Sequence, residues 1–236
     1  MIVKKLLAFD LDGTLTQHKS QLDAENRRCL TFLAEKYRLL MLGAGSCERI
    51  YRQMGEFPIE IIGNYGMQHS VVRDGKFEII ESLTAAVDRE WVDAAVTALR
   101  REFGYENFCG DNVEFHASGV VTFPLLGTAA LLNEKLAFDP DRSKRRKMYQ
   151  RVCQIFDSWN VFIGGSSSFD LTQGEFNKYF ALKRFCESAG YSLAEAVYFG
   201  DDFGEGGNDS HVKLGGVDCV EVTDYHDFSK LAAALL

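Results

Sequence analysis

This 236-residue sequence lacks the features that mark membrane-spanning, secreted and nucleic-acid-binding proteins. No apolar run approaches the roughly 18–20 residues that a membrane-spanning helix requires. Four apolar residues separate Lys5 from Asp10, fewer than the roughly 7–15 of a signal-peptide core, so we expect no secretion signal. Positive charge is also scarce, because 26 Lys and Arg face 34 Asp and Glu, for a net charge of -8. This balance argues against nucleic-acid binding, which needs clustered positive charge.

The six cysteines form no C-x-x-C pair, so neither a zinc site nor a redox motif is indicated. Most of them lie in apolar segments, where an unpaired cysteine usually packs as a small hydrophobic residue. We therefore expect a reduced protein without disulfides and, with no secretion signal, a cytoplasmic location. The sequence contains no internal repeat or low-complexity segment. Its composition, 46% hydrophobic and 25% charged, is otherwise that of a globular protein.

The first part of the chain alternates apolar strand segments with amphipathic helical segments. Strands are predicted over Ile2–Phe9, Leu39–Leu42 and Ile59–Ile62, and helices over Leu22–Tyr37 and Cys47–Met54. Because these strand segments are almost entirely apolar, we expect a parallel sheet that is covered by helices on both faces.

The middle of the chain follows a different pattern. A hairpin is predicted around Asp74-Gly75, a dipeptide that favours a tight turn. Two long helical segments then alternate with pairs of short strands, which describes an α+β unit inserted into the α/β chain. Insertions of this length are usually functional. The elements predicted in the insertion are helices over 84–103 and 141–159 and strands over 113–116, 120–123, 161–163 and 168–172.

The α/β alternation resumes near Phe176 and continues to the end of the chain. The fold class predicted is therefore α/β, with a Rossmann-like parallel-sheet core of residues 1–82 and 173–236 and an inserted α+β cap of residues 83–172. The elements predicted after the insertion are a helix to Ala189, strands over Val197–Gly200 and Val217–Val222, and a terminal helix from about His226.

Two carboxylates follow the first predicted strand, in Asp10-Leu11-Asp12-Gly13-Thr14. Residues two apart in an extended segment project to the same side, so Asp10 and Asp12 can face one site. That site would lie at the carboxyl end of a parallel strand, where open α/β sheets bind ligands. A divalent cation would keep two such adjacent carboxylates ionised. The complete D-x-D-G-T-L-T pattern disfavours the alternative of a structural turn that merely closes a strand.

Three further segments lie at strand ends or at the start of a helix. Gly43-Ala44-Gly45-Ser46 follows the second strand, where a hydroxyl and backbone N–H groups can bind phosphate, although such a loop can equally be a plain helix cap. Lys178 opens a predicted helix, a position at which a lone lysine is normally solvated. The segment from Gly200-Asp201-Asp202 to Asn208-Asp209 offers the oxygen ligands that Mg²⁺ prefers.

Together and in this order, the four segments resemble the signature of the haloacid dehalogenase (HAD)-like hydrolase superfamily. The resemblance implies that Asp10 is a nucleophile that becomes an aspartyl phosphate and that Asp12 is the general acid and base. It also implies that Ser46 and Lys178, with Gly45 in the same loop, bind the transferring phosphoryl group. The implied cofactor is Mg²⁺. Its implied ligands and supporting residues are Asp10, Asp12 (through the backbone carbonyl), Asp201, Asn208 and Asp209, whereas Asp202 is expected to be an exposed neighbour.

The insertion follows the third strand, which resembles the large α+β cap (type IIB) branch of sugar phosphatases and eukaryotic-type phosphomannomutases. The segment Gly165–Asp170 is similar to a mutase segment whose Ser and Asp contact the hexose, so Ser168 and Asp170 are candidate substrate contacts. The cap would then determine substrate specificity. Related mutases pair through their caps, which implies a homodimer.

The chain departs from the mutase pattern where arginines are expected. A mutase binds a second phosphate and needs bidentate arginines for it, but the aligned positions carry Thr128, Lys135 and Lys19. Thr122 likewise stands in place of an asparagine. Because hydrolysis needs no second phosphate site, we predict a Mg²⁺-dependent phosphatase that acts on a sugar phosphate or a similar small phosphate ester. A phosphomannomutase and a non-catalytic regulatory protein are the alternatives.

Two groups of cap residues have simpler interpretations. The predicted helix over 141–159 is rich in Lys and Arg, and a solvated face is favoured over a face that steers anionic substrates. The apolar residues of the helix over 84–103 are expected in the cap core, and His18 is expected to be incidental to the site. The basic residues are Arg142, Lys144, Arg145, Arg146, Lys147 and Arg151, and the apolar ones are Trp91, Val92, Ala95, Val96 and Leu99.

Overall fold

The computed structural model describes residues 2–235, and the chain divides into two compact units. The first unit contains the residues through Leu83, Asn177–Gly204 and the residues from Asp209 onward. The second contains Thr84–Phe176 and, in addition, Glu205–Asn208. This short segment joins the second unit because Gly206 accepts a hydrogen bond from the N–H of Ile163 (2.8 Å).

Residues 2–235 form eleven β-strands and eight α-helices, together with short 3-10 turns. The strands are β1 (Leu6–Phe9), β2 (Arg38–Leu42), β3 (Glu60–Gly63), β4 (Gln68–Arg73), β5 (Lys76–Ser82), β6 (Glu114–Phe115), β7 (Val121–Pro124), β8 (Trp159–Gly164), β9 (Ser168–Gln173), β10 (Ala196–Gly200) and β11 (Asp218–Glu221). The helices are α1 (Ala24–Ala34), α2 (Cys47–Gln53), α3 (Arg89–Phe103), α4 (Leu132–Phe138), α5 (Ser143–Ile155), α6 (Lys178–Ala189), α7 (Ser210–Leu214) and α8 (Phe228–Ala232).

The first unit is built on a seven-stranded sheet in the order β11-β10-β1-β2-β3-β4-β5. The five strands from β11 to β3 are parallel, and the hairpin of β4 and β5 adds two antiparallel strands. Alternate residues of β1 face two cores: Leu7 and Phe9 pack with α1, α2 and α8, whereas Leu6 and Ala8 pack with α6 and α7. Because both faces of the sheet are covered, its strands are apolar at nearly every position. The predicted α/β fold class is confirmed.

The second unit is a four-stranded antiparallel sheet in the order β6-β7-β9-β8. Helices α3 and α5 pack on it through apolar stripes that include Val96 and Val152. The opposing sheet residues are large: the rings of Phe123 and Phe169 stack with their centroids 5.9 Å apart. Trp91, which was expected in this core, is 43% exposed at the first turn of α3, where its ring packs edge-to-face with Phe156 (centroids 5.2 Å apart) and stacks with Trp159 (6.5 Å).

Element ends differ from the sequence predictions for identifiable reasons. Helix α3 begins at Arg89 rather than at 84, because Asp88 caps it by accepting a hydrogen bond from the N–H of Trp91 (3.0 Å). Strand β1 begins at Leu6 because Ile2 and Val3 are exposed. Helix α4 was not predicted, since none of its residues is buried and it therefore shows no clear apolar stripe.

The basic helix α5 is solvated along most of its length, but Arg145 is an exception. This side chain is only 1% exposed and forms an ion pair with the buried Asp139, with Nε 2.8 Å from Oδ2. It also donates to the carbonyl oxygens of Gly164 (2.7 Å) and Gly165 (3.0 Å). The interpretation of a wholly solvated basic face is therefore wrong for Arg145, which anchors the turn between β8 and β9.

Within residues 2–235, none of the helices combines the length and the apolar character that crossing a bilayer requires.

Candidate active site

Asp10 lies immediately after β1, and its carboxylate is almost completely buried. The backbone N–H of Asp10 donates to Phe199 (2.9 Å), which extends the pairing with β10 and fixes the position of the carboxylate at the strand end. Burial, followed by the neighbouring charges of Asp209 and Asp201, raises the pKa of Asp10, while the Lys178 ammonium opposes the shift. A further positive charge at this position would therefore favour the ionised form.

Lys178 is the first residue of α6 and is fully buried. The side chain of Asn177 caps this helix by accepting from the N–H of Phe180 (2.8 Å), which sets the direction in which α6 leaves the sheet. The Lys178 Nζ lies 2.6 Å from Oδ1 of Asp10 and 2.7 Å from Oδ1 of Asp209. Burial alone would lower the pKa of Lys178, but the charges of these two carboxylates raise it, so the ammonium form persists.

Asp209 joins this ion pair to the loop after β10. Its Oδ1 accepts from Lys178 and from the hydroxyl of the buried Tyr198. Its Oδ2 accepts from the backbone N–H groups of Asp201 (3.1 Å) and Asp202 (3.0 Å). Both oxygens are thus engaged in shaping the loop. Asp202, which was expected to be an exposed neighbour, is only 5% exposed, because its backbone N–H and C=O groups both pair with Asp209.

Asp10, Asp201 and Asp209 each offer one carboxylate oxygen, and the three oxygens lie within 4.8 Å of one another. An all-oxygen set of this kind fits Mg²⁺, which prefers carboxylates and retained waters. Gly13 packs closely on the same group: its φ is +99°, and a Cβ there would lie 2.6 Å from Oδ2 of Asp201. The glycine after Asp12 is therefore required by backbone conformation and by space.

Asp12 is held from several sides by the first unit. Its Oδ1 accepts from the backbone N–H of Lys19 (2.9 Å) and from Nε2 of Gln53 (2.7 Å). Its Oδ2 lies 3.3 Å from Nη1 of Arg49. Burial alone would raise the pKa of Asp12, but the Arg49 charge and the hydrogen bonds outweigh it and lower that pKa. The structure thus brings Asp12 next to helix α2.

The loop after β2 carries Gly45 and Ser46. Ser46 caps α2, where its hydroxyl accepts from the N–H of Arg49 (3.3 Å), and both residues are partly exposed. The carbonyl oxygen of Gly45 accepts from the N–H of Asn64 (2.8 Å), which ties the loop to the end of β3. A partly exposed hydroxyl at this strand end is accessible to a phosphate oxygen.

Ser168 and Asp170, the predicted substrate-binding residues, form hydrogen bonds within the second unit. The Ser168 hydroxyl donates to the carbonyl of Gly164 (3.1 Å). The Asp170 carboxylate accepts from the hydroxyl of Thr122 (3.0 Å). Asn208 belongs to the short segment that groups with the second unit, unlike Asp209.

The first unit contains the remaining predicted site residues: Asp10, Asp12, Gly45, Ser46, Lys178, Asp201 and Asp209.

Three functional neighbours were missed at the level of sequence. Arg49 and Gln53 are four residues apart on α2, and this i, i+4 spacing places them on one helix face. Both contact Asp12, and the spacing could have suggested that they share a partner. Tyr198 lies on β10, where an apolar strand pattern hides its hydroxyl contact to Asp209. No local signal marks such a partner, because the contact crosses from a strand to a distant loop.

Comparison with known proteins agrees with this geometry. A family model for haloacid dehalogenase-like hydrolases matches residues 130–209, which include Lys178, Asp201 and Asp209. The phosphomannomutase of Encephalitozoon cuniculi is 25% identical over 220 residues, covering 89% of this chain and 84% of that protein. The phosphomannomutase of Saccharomyces cerevisiae is 27% identical over 220 residues, covering 88% of this chain and 84% of that protein.

Solved structures share the fold at low sequence identity. A haloacid dehalogenase-like hydrolase from B. subtilis matches with a TM-score of 0.65 and 16% identity, covering 98% of this chain and 100% of that chain. An N-terminally truncated IMP-nucleotidase from Plasmodium falciparum matches with a TM-score of 0.71 and 13% identity, covering 99% of this chain and 70% of that chain.

Proposed function

We infer that this chain is a haloacid dehalogenase-like enzyme that acts on phosphate esters, because the family model, the phosphomannomutase relatives and the similar solved structures all agree with this assignment. We propose that it is a Mg²⁺-dependent phosphatase of a sugar phosphate or a similar small phosphate ester, working through an aspartyl phosphate on Asp10. The observation that carries this proposal is the buried contact between Lys178 and the carboxylates of Asp10 and Asp209. A lysine so placed holds a carboxylate rigidly at the end of a parallel strand, where ligands bind.

In the first half-reaction, an Asp10 carboxylate oxygen would form a bond to phosphorus while the bond from phosphorus to the ester oxygen breaks. The leaving oxygen would take its proton from Asp12. Lys178 and Ser46 would balance the charge of the phosphoryl oxygens, which is the main task in phosphoryl transfer. The rigid support of Asp12 by Gln53 and the Lys19 N–H keeps its carboxyl in one position for this step.

In the second half-reaction, water would attack phosphorus and give its proton to Asp12, and the bond from Asp10 to phosphorus would break to release phosphate. Mg²⁺, held by Asp10 and Asp201 with the backbone carbonyl of Asp12, would add positive charge next to the phosphoryl oxygens. Asp209 would support this site, since both of its oxygens already orient Lys178 and the loop at Asp201. Asn208 would be a further supporting residue.

The arginine positions of the mutases support hydrolysis over the mutase alternative. A mutase needs strong donors for a second phosphate, but Thr128 accepts from the Asp111 N–H (2.8 Å) within the cap. The Lys135 ammonium donates to the backbone carbonyl of Thr128 (3.0 Å). Lys19 meets Asp12 through its backbone N–H. The side chains of Thr128 and Lys135 serve local structure, so release of phosphate is favoured over its transfer to a second sugar position.

A panel of sugar phosphates, incubated with the full chain and Mg²⁺, tests the proposed function through release of inorganic phosphate. We expect release for at least one ester and its loss when EDTA removes the metal. Interconversion of hexose 6- and 1-phosphates that requires a hexose bisphosphate would favour the mutase instead. Absence of both reactions across the panel would refute the phosphatase and leave the regulatory alternative.

The proposed substrate selection by the inserted unit would involve Ser168 and Asp170.

Dimerisation through this unit also remains a prediction, which is supported by large apolar side chains on its surface: Leu131 is 63% exposed and Leu132, Leu136 and Phe108 are exposed as well. We expect a dimer at micromolar concentration in sedimentation velocity and dissociation in a Leu131→Glu, Leu132→Glu variant. A wild-type monomer at those concentrations would contradict it. The cytoplasmic location and the absence of nucleic-acid and membrane partners likewise stay predictions.

A further inference from the structure

The amide of Gln53, the last residue of α2, is held in one orientation. Gln53 is only 7% exposed. Its Oε1 accepts from Nη1 of Arg49 (2.8 Å), and its Nε2 donates to Oδ1 of Asp12 (2.7 Å) and to the hydroxyl of Thr16 (3.0 Å). Exchanging the two ends of the amide would turn Nε2 toward a guanidinium and Oε1 toward a carboxylate, so only the observed orientation satisfies both partners.

The two carboxylate oxygens of Asp12 are held unequally. Oδ1 accepts from Nε2 of Gln53 (2.7 Å) and from the backbone N–H of Lys19 (2.9 Å), and these donors occupy both of its lone pairs. Within residues 2–235, Oδ2 accepts from one donor, Nη1 of Arg49, at 3.3 Å, which is longer than the roughly 2.7–3.2 Å of an ordinary N–H···O bond. Oδ1 therefore anchors the carboxyl group, and Oδ2 keeps a lone pair with which it can exchange a proton.

Lys19 reaches Asp12 from a backbone conformation that is rare for a residue other than glycine. Its φ is 58°, and in this conformation its N–H points at Oδ1 of Asp12. Such residues persist where their surroundings compensate for the strain, and they cluster at functional sites. One of the two donors to Oδ1 is thus kept in place at a conformational cost, which favours a functional reason for anchoring this oxygen.

Packing of α2 does not require the Gln53 amide. The helix packs on the core through Cys47 and Ile50, whose side chains are fully buried. Gln53 adds a buried polar group, and its loss of water must be balanced by hydrogen bonds to neighbouring side chains. One of these neighbours, Asp12, retains 21% exposure of its side chain, so the oxygen of an ester can approach it.

We propose that Gln53 is a positioning residue for proton transfer, whose amide anchors Oδ1 of Asp12 so that Oδ2 is the atom that exchanges the proton. This inference rests on the proposed phosphatase function, in which Asp12 is the acid and the base. In the first half-reaction the proton on Oδ2 passes to the ester oxygen while the bond from that oxygen to phosphorus breaks. In the second, Oδ2 takes a proton from the water that attacks phosphorus.

Gln53→Leu removes the amide and keeps a side chain of similar size, and two esters with different leaving groups show what is lost. The leaving oxygen of a sugar phosphate needs a proton, whereas p-nitrophenolate departs without one. Because kcat/KM reports the steps through loss of the leaving group, we expect it to fall about 10- to 100-fold for a hydrolysed sugar phosphate. For p-nitrophenyl phosphate we expect kcat/KM to fall less than about threefold.

The second half-reaction gives an independent readout with p-nitrophenyl phosphate. A displaced base slows the attack of water but not the formation of the aspartyl phosphate. Rapid mixing of Gln53→Leu with this ester is therefore expected to release about one equivalent of p-nitrophenolate per enzyme in a burst, followed by a slow steady state. A general disturbance of the site would slow both phases together and add no burst.

Two further variants separate positioning from stability. Gln154→Leu is the matched control, because Gln154 lies exposed on α5 and accepts from Arg151 (3.3 Å), and we expect wild-type kinetics from it. Thr16→Val removes the hydroxyl that accepts from the Gln53 amide and leaves the amide itself in place. We expect Thr16→Val to lower kcat/KM for the sugar phosphate by about three- to tenfold, with the same selectivity between the two esters. Melting temperatures establish that each variant is folded.

The outcomes distinguish this proposal from the proposed function. Equal losses of kcat/KM for the two esters in Gln53→Leu and Thr16→Val would show a merely structural role for the amide and overturn the proposal, while the phosphatase function would stand. Unchanged kcat/KM for both esters would overturn it as well. A wild type that hydrolyses neither ester would refute the function together with the proposal.

Discussion

Replacement of Asp10 by asparagine is expected to lower kcat for phosphate release by at least about 1000-fold, because an amide oxygen cannot form the aspartyl phosphate. The fold should survive this change. Burial and the charges of Asp209 and Asp201 raise the pKa of Asp10, so its ionised form is disfavoured in the folded state. Removing that charge is therefore not expected to lower the melting temperature, and Lys178 retains Asp209 as its partner.

Asp74→Asn is the control for this prediction. Asp74 lies in the exposed turn between β4 and β5 at φ 51°, a conformation that asparagine adopts readily. We expect wild-type kcat and KM from this variant. Activity of Asp10→Asn within tenfold of the wild type, measured as release of inorganic phosphate, would remove Asp10 from the role of nucleophile.

Replacement of Lys178 by methionine is expected to impair both stability and activity. It leaves the carboxylates of Asp10 and Asp209 buried without their ammonium partner, a loss that typically costs about 3–5 kcal/mol. Because these two carboxylates raise the pKa of Lys178, the ammonium is charged below about pH 10, and the full cost is expected at neutral pH. Urea denaturation measures the loss in the free energy of unfolding, and phosphate release is expected to be undetectable.

Lys183→Met is the matched control, since Lys183 lies on the same helix, is exposed and approaches Glu187 at 3.9 Å. We expect less than about 0.5 kcal/mol for it. The double variant Lys178→Met, Asp209→Asn should recover part of the lost stability, because it removes one of the two carboxylates that Lys178→Met leaves without a partner. If Lys178→Met were as stable as Lys183→Met, the buried ion pair would not hold the first unit together.

The parts of the fold that could be predicted from sequence have local causes. The strands of the parallel sheet are apolar on both faces, as in Leu6–Phe9, so their positions were visible as runs. Asp10 and Asp12 were recognisable because they follow such a run two residues apart. Their common position at one strand end follows from chain geometry alone.

The parts that could not be predicted depend on partners that are distant in the chain. Arg145 belongs to a strongly basic segment, and only the buried Asp139 and the carbonyls at the end of β8 explain its burial. Tyr198 lies in an apolar strand, and only the loop that carries Asp209 explains its buried hydroxyl. Asp202 appeared to be a surface acid until its backbone was seen to pair with Asp209.

Covalent labelling of Asp10 is the most direct measurement of the proposed chemistry. A single turnover of a hydrolysed ester that carries labelled phosphorus is quenched with acid within milliseconds, and the labelled peptide is then identified by mass. We expect the label on the peptide that contains Asp10 in the wild type and no label in Asp10→Asn. Rapid release of labelled phosphate, with no label on any peptide at any quench time, would contradict an aspartyl phosphate and with it the role of Asp10 as nucleophile.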